Sequence, residues 1–234
     1  MSAETGVLVG IHQPHYLPWL RYFEKVARSD VFIVLDTVQF SKNGWQNRNK
    51  VKTPQGAQIL TTPVHAHLDR PLVQIQIDRN QPWRKKHLQT ILQSYRRAPY
   101  MDSIAPFLES TYVREWDTLC ALNRVMLDYF LDTLEIRTPV YFASELDVPG
   151  TATERLINLI KAVGGTRYYS GAYALDAYLD AKKLDAAGIE LVLQEWSAPT
   201  YPQLYGEFIP DLSIVDLLAN CGPAARDVLL GVPT

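Results

Sequence analysis

The chain holds almost no cysteine: two residues, Cys120 and Cys221, in 234. That number excludes a disulfide framework and points to a reducing, cytoplasmic setting. Long apolar runs are missing too. The longest, such as residues 31–35, are far too short to cross a bilayer, so no membrane span is expected. The first six residues lack the basic start and apolar stretch of a secretory leader. Net charge is small, with 23 basic against 25 acidic residues. Nothing in that balance draws the chain to nucleic acid or to an anionic lipid surface. No G-x-x-x-x-G-K-[ST] string occurs, which removes a P-loop phosphate site. Internal repeats and low-complexity tracts are absent as well.

What is present suits a folded core: 47% hydrophobic and 21% charged residues, ordinary values for a globular protein. The length fits one domain, 1–234, with an insertion at approximately 37–80. Aromatic residues are less ordinary. There are thirteen tyrosines and five tryptophans. Many stand beside polar residues, among them Tyr16, Trp19, Trp45, Trp83, Tyr168, Tyr169, Tyr173, Tyr201 and Tyr205. They serve either as core and rim or as the lining of a small-molecule pocket.

Residues 7–11 form a short β-prone apolar run and read as a buried strand. The string His-Gln-Pro-His-Tyr-Leu-Pro follows at 12–18. Pro18 suits a helix start, and Trp19, Leu20, Tyr22, Phe23, Val26 and Ala27 recur at helical spacing. Residues 31–35 make a second buried strand, with Asp36 directly after it. A strand–helix–strand unit of this length is normally parallel and right-handed. Both His12 and Asp36 then fall beyond the carboxyl ends of neighbouring strands, where ligands bind in open α/β sheets. Further strands are expected near 48–52, 58–63, 72–77, 139–142, 167–170 and 190–194. Helices are expected at 82–95, 99–113, 116–134, 151–163 and 174–187, and one begins at Ser213. Thr151 with Glu154, and Ser213 with Asp216, have capping spacing. The predicted architecture is α/β: a three-layer Rossmann-like sheet with a strand-rich insertion and additional helices.

Two segments carry chemistry. The first, residues 12–19, packs two imidazoles, an amide, a phenol and an indole into eight positions. It reads as a stiff turn with a bonded histidine or as a site; the density of catalytic side chains favours a site. The second, residues 36–50, holds Lys42, Arg48 and Lys50 among amides. It reads as a solvated loop or as a clamp, with Arg48 gripping a carboxylate or phosphate in bidentate fashion. His12/His15 and His65/His67 have spacings that chelate zinc, but no cysteine pair supports them, and no metal is expected. The basic string Arg84-Lys85-Lys86-His87, with Arg96-Arg97, reads as a solvated helix face or as a dock for an acidic carrier protein.

The strings IHQPHYLPW, VLDTVQFSKNGWQNRNKVK, YYSG and FIPDLSIVDLLANCG together resemble the WbqC-like family along essentially the whole chain. The resemblance implies a bacterial protein of O-antigen, capsule or natural-product biosynthesis, with acyl or aminoacyl transfer to an amine as its reaction. It carries over His12, Gln13, Tyr16, Trp19, Asp36, Gln39, Lys42, Trp45, Asn47, Arg48 and Asn49. It also carries Tyr168, Ser170, Gly171, Ser213, Asp216 and Asn220. The family's third string has a spacer where this chain has Tyr169 directly before Ser170.

The expected reaction joins an activated acyl group to an amine on an amino sugar or natural-product intermediate. His12 serves as general base, Asp36 orients it or holds the amine, and Lys42, Arg48 or the helix-start N–H groups stabilise the oxyanion. The small-molecule substrate contacts Gln13, Tyr16, Trp19, Gln39, Trp45, Asn47, Arg48, Asn49, Tyr168, Tyr169, Ser170 and Asp216. The donor is a thioester, with an acyl- or peptidyl-carrier protein as a candidate partner, and no cofactor is expected. Two alternatives stand beside this: a nucleotidyl-transfer or adenylation enzyme using the same strand–His–helix edge, and a non-catalytic binding module. Cys221 is either an acyl-accepting nucleophile or a small packing residue, and packing is favoured.

Overall fold

The computed structural model describes residues 6–65, 69–171 and 179–232. The chain divides into two compact units. The first comprises Met1–Gln13, Glu24–Thr37 and Ile136–Ser197, and the second Pro14–Phe23, Val38–Glu135 and Ala198–Thr234.

In the first unit a five-stranded parallel sheet is built from β1 (Leu8–His12), β2 (Val31–Val34), β5 (Val140–Phe142), β6 (Arg167–Ser170) and β7 (Glu190–Leu193). Its spatial order is β5-β2-β1-β6-β7, every neighbour parallel. Counted along the chain these five strands run 3-2-1-4-5. That is the Rossmann-like order, which reverses direction between β1 and β6.

Side chains alternate between the sheet's faces. Val9, Ile11, Ile33 and Tyr168 share a core cluster with Ala143, Leu156, Leu159, Ile160 and Leu184. Those partners belong to α5 (Ala143–Leu146), α6 (Ala152–Ala162) and α7 (Ala181–Ala186). The opposite face carries Gly10, His12, Phe32, Val34 and Tyr169 and receives residues 24–28 of α1 (Leu20–Arg28). Gly10 permits this approach: a Cβ there would lie 2.3 Å from Ser29 Oγ. Helices thus cover both faces, and this unit has the three layers of an α/β fold.

The α6 N-terminus departs from expectation. Thr151 stands at the cap but its side chain caps nothing. Ala152 takes a positive φ of 46°, so the chain enters the helix in a geometry that the capping box does not fit. Arg155 Nε instead donates to the Gly150 carbonyl at 2.7 Å. Gly164, at φ 74°, ends the helix as expected. The expected helix at 174–187 lies partly outside the described residues; its described part is α7.

The second unit holds an antiparallel hairpin of β3 (Arg48–Thr53) and β4 (Gly56–Thr61). Around it are α2 (Trp83–Tyr95), α3 (Met101–Val113), α4 (Leu119–Thr133), α8 (Ile214–Cys221) and α9 (Ala225–Leu230). Phe23 meets Phe130 edge to face at 6.1 Å in its core. Ser213 caps α8, accepting from Val215 N. The strand expected at 72–77 does not form. Leu72–Gln74 is a 3-10 turn closed by Ile75 N–H donating to Leu72 O, and Gln76 and Ile77 make only isolated bridges. Leu72 and Ile75 are both fully buried. The burial period there begins at three, and Pro71, with no N–H to give a ladder, precedes it.

Candidate functional site

Ligands of open α/β sheets bind beyond the carboxyl ends of the strands, where the strand order reverses. Here that point lies between His12-Gln13, closing β1, and Ser170-Gly171, closing β6. His12 Nδ1 lies 3.0 Å from the Gln13 carbonyl oxygen. A carbonyl only accepts, so Nδ1 carries the proton and Nε2 the lone pair. Burial of the ring, and then the nearby Lys25 charge, lower the His12 pKa to about 3, against a weaker upward pull from the Gln13 bond. The imidazole is neutral at physiological pH, although the residue as a whole retains some exposure.

A buried polar cluster lies on the same face. Glu24, 2% exposed, accepts from Tyr169 Oη at 3.0 Å and from the Gln194 side-chain amide. Arg28 Nε approaches it at 3.6 Å. Tyr169 precedes Ser170 at the end of β6, and Gln194 directly follows β7. Lys25 is buried as well. Sequence reasoning missed Glu24, Lys25 and Gln194. A signal for the first two existed in charged residues on a short helix between two buried strands, which has a face against the sheet.

Asp36 lies near His12 in the fold: His12 pairs with Val34, and the Leu35 N–H donates to the His12 carbonyl at 2.8 Å. Its carboxylate turns elsewhere. One oxygen accepts from Ser144 N at 2.9 Å and the other from Ser144 Oγ at 2.6 Å, and the residue is 2% exposed. Asp36 thus ties the end of β2 to the first turn of α5. Tyr168 packs in the apolar cluster on the sheet face opposite Tyr169. Ser170 is buried, its hydroxyl directed at the Gly171 carbonyl.

The other expected residues belong to the second unit. Trp45 meets Trp19 at 5.2 Å, with Arg48 Cζ 5.5 Å from the Trp45 ring centre and Lys50 Nζ 6.0 Å from it. This is a half-exposed cation–π cluster. Arg48 also donates to Asn43, whose φ is 66°. Lys42 and Gln39 are exposed. Asn47 and Asn49 are buried and hold backbone: Asn47 donates to Thr62 O at 2.8 Å and Asn49 to Leu17 O at 2.6 Å. Leu17 has a φ of 45°, a conformation that such a bond helps to fix. Tyr16 is fully buried and bonded to His87 Nδ1 at 2.7 Å and to the Tyr112 hydroxyl.

Asp216 is also fully buried. It accepts from Tyr95 Oη at 2.9 Å and Tyr201 Oη at 2.8 Å, and desolvation raises its pKa despite both bonds. Nearby Cys221 is pushed up to about 11 by burial and by Asp216, so it is a protonated packing thiol rather than a nucleophile. His15 packs against Trp19 and Tyr22, and His67 lies outside the described residues. Among the described residues no group of three or more metal-ligating side chains gathers, and no helix is long and apolar enough to cross a membrane.

The chain belongs to the WbqC-like protein family, whose profile matches residues 13–228. It is 35% identical over 225 residues to an uncharacterized protein of Mycobacterium tuberculosis, Rv1507c, covering 94% of this chain and 96% of the relative. No solved structure matches the chain.

Proposed function

We propose that the chain is an acyl or aminoacyl transferase that forms an amide, with His12 as general base at the reversal point of the parallel sheet. One observation carries this reading. His12 closes the strand at which ligands of such sheets bind, its tautomer fixed by Gln13 O and its ring held neutral. An unprotonated Nε2 at that place is in the state a general base requires, although the burial that lowers its pKa to about 3 also makes it a weaker base than an imidazole at about 6.5. In the reaction, the substrate nitrogen attacks the thioester carbonyl, the C–N bond forms, and the proton passes to Nε2. The C–S bond then breaks and the thiolate leaves with that proton. Lys25, buried on the same face, supplies positive charge suited to the tetrahedral oxyanion. Lys42 is exposed in the second unit and is the weaker candidate for that role. A bacterial glycan or natural-product pathway is the setting this chemistry fits, with an amino sugar as acceptor.

The strand order itself favours a second reading, nucleotidyl transfer, since this order commonly binds nucleotides. Two features weigh against it. The loop at 12–18 has no glycine to admit a phosphate to the backbone. The acid after β2, placed to hold a ribose hydroxyl, is occupied by Ser144. Mass spectrometry of the protein incubated with an aminoacyl thioester and an amino sugar separates the readings. Amide product that disappears in His12→Ala supports transfer. Heat stabilisation by nucleoside triphosphates without amide product supports the second reading.

A further inference from the structure

A cavity of about 310 Å³ opens between β4 and α2 in the second unit. Small-ligand sites have volumes of roughly 300–1,000 Å³. One face of α2 forms a wall, with Trp83, Lys86, His87 and Thr90 recurring at helical spacing. Gln58 and Thr61 of β4 line it as well. Trp83 and His87 make an aromatic corner, 5.2 Å between ring centres. His87 is held rigidly. Its Nδ1 lies 2.7 Å from the Tyr16 hydroxyl, which bonds in turn to Tyr112. Burial lowers the His87 pKa to about 4, so it enters the wall as a neutral ring.

Among the described lining residues, Lys86 supplies the one formal charge. The surrounding sequence strengthens it. From Arg79 to Met101 the chain has six basic residues and no acid, although the whole carries a net −2. Arg79 and Arg84 are paired with Asp117 and Glu115 from outside the segment, so Lys85, Lys86, Arg96 and Arg97 carry the local excess. The first turn of α2 contains no acid and no side chain caps it, so its dipole adds to the positive potential. At the rim, Asp78 accepts the Gln81 side-chain amide at 2.8 Å and is not part of the lining.

We propose that this cavity binds an organic phosphate. The phosphate pairs with Lys86, the attached polar body bonds to Gln58, Thr61 and Thr90, and an apolar face rests on Trp83. The site stands independently of the reaction assigned to His12. Two sources share this chemistry, a sugar phosphate and the phosphorylated amide arm of a carrier protein.

Isothermal titration of the intact protein tests the proposal with three probes: glucose 1-phosphate, 4′-phosphopantetheine and inorganic phosphate. Two charge-reversed variants go with them, Lys86→Glu and Lys85→Glu. Both lysines are exposed, and Lys85 does not line the cavity. The expected result is binding of one organic phosphate, weakened about tenfold or more by Lys86→Glu, as for loss of a charge-assisted bond. Lys85→Glu is expected to change it by less than about threefold, a screened surface effect. Tighter binding of the sugar phosphate or of the pantetheine identifies the source. Absence of binding by both organic probes overturns the proposal. So does an equal loss in the two variants, or inorganic phosphate binding as tightly as the organic esters.

Discussion

The hydroxyl of Tyr169 donates to the carboxylate of Glu24 at 3.0 Å, joining positions 145 apart in sequence. The Gln194 amide donates to the same carboxylate. One buried side chain on α1 thereby fixes the carboxyl ends of β6 and β7 on the sheet face that carries His12.

Tyr169→Phe is expected to cost about 1–3 kcal/mol, the range for a hydrogen bond to a charged group lost from a buried site. Glu24→Ala is expected to cost more, because it leaves both the phenol and the amide without this acceptor. Urea denaturation measures both; the midpoint falls while the slope stays unchanged. A Tyr169→Phe midpoint equal to wild type removes the bond from the stability of this unit.

Stability is expected to fall with acid in a window set by two histidines. The folded pKa values are lowered to about 3 for His12 and about 4 for His87, whereas an unfolded histidine titrates near 6.5. Below that value the unfolded chain binds more protons, so stability is whole above about pH 6.5 and declines as pH drops, toward about 4 for the His87 contribution and about 3 for that of His12. Each group contributes at most about 1.4 kcal/mol per pH unit. Urea midpoints at pH 7.5, 6 and 5 give the profile, and His87→Gln is expected to flatten it. A wild-type profile level from pH 7.5 to 5 contradicts the neutral state of both rings.

His12→Ala is expected to reduce amide formation by about 10²- to 10⁴-fold, the usual contribution of a general base. Its effect on melting temperature is expected to be a few degrees. The bond that matters for the sheet edge there is Leu35 N–H to the His12 backbone carbonyl, which the substitution keeps. Turnover undiminished in the folded variant takes His12 out of the reaction.

Asp216→Ala is expected to destabilise by about 2–4 kcal/mol, since two buried phenols, Tyr95 and Tyr201, both donate to that carboxylate. Asp216→Asn keeps one acceptor oxygen and is expected to fall between wild type and alanine. Equal midpoints for the asparagine and alanine variants refute an additive role for the two phenol bonds.

Cys221 is expected to resist iodoacetamide at pH 8 in the native protein and to react in urea. Its thiol is buried and held at about 11 beside Asp216, and the thiolate is the reacting form. Rapid native labelling, or an acyl adduct found there by mass spectrometry, revives the nucleophile reading.

Where the signal was local, the sequence was legible. Residues 7–11 and 31–35 are unbroken β-prone runs, and they form β1 and β2 within a residue at each end. Ser213 precedes an apolar helical pattern and caps it. Residues 72–77 misled because a buried turn with its apolar residues three apart, Leu72 and Ile75, is followed by two-residue alternation at Ile77. Tyr168 and Tyr169 show the next level. Strand periodicity puts them on opposite faces, but only the packing of α6 against Tyr168 and the bond from Tyr169 to Glu24 say which face is which.

By itself the sequence determined the parallel sheet and the position of His12 at its carboxyl edge, because backbone preference and apolar period act within a few residues. The tertiary structure decided the partners. Asp36 meets Ser144, 108 positions on, rather than the imidazole of His12, the residue that pairs with Val34 two positions before Asp36. Glu24, a carboxyl group one turn from Leu20 on α1, is buried against Tyr169 and Gln194. Those choices depend on where the chain returns after a hundred residues and more, and on the cost of burying a carboxyl group unless donors meet it there.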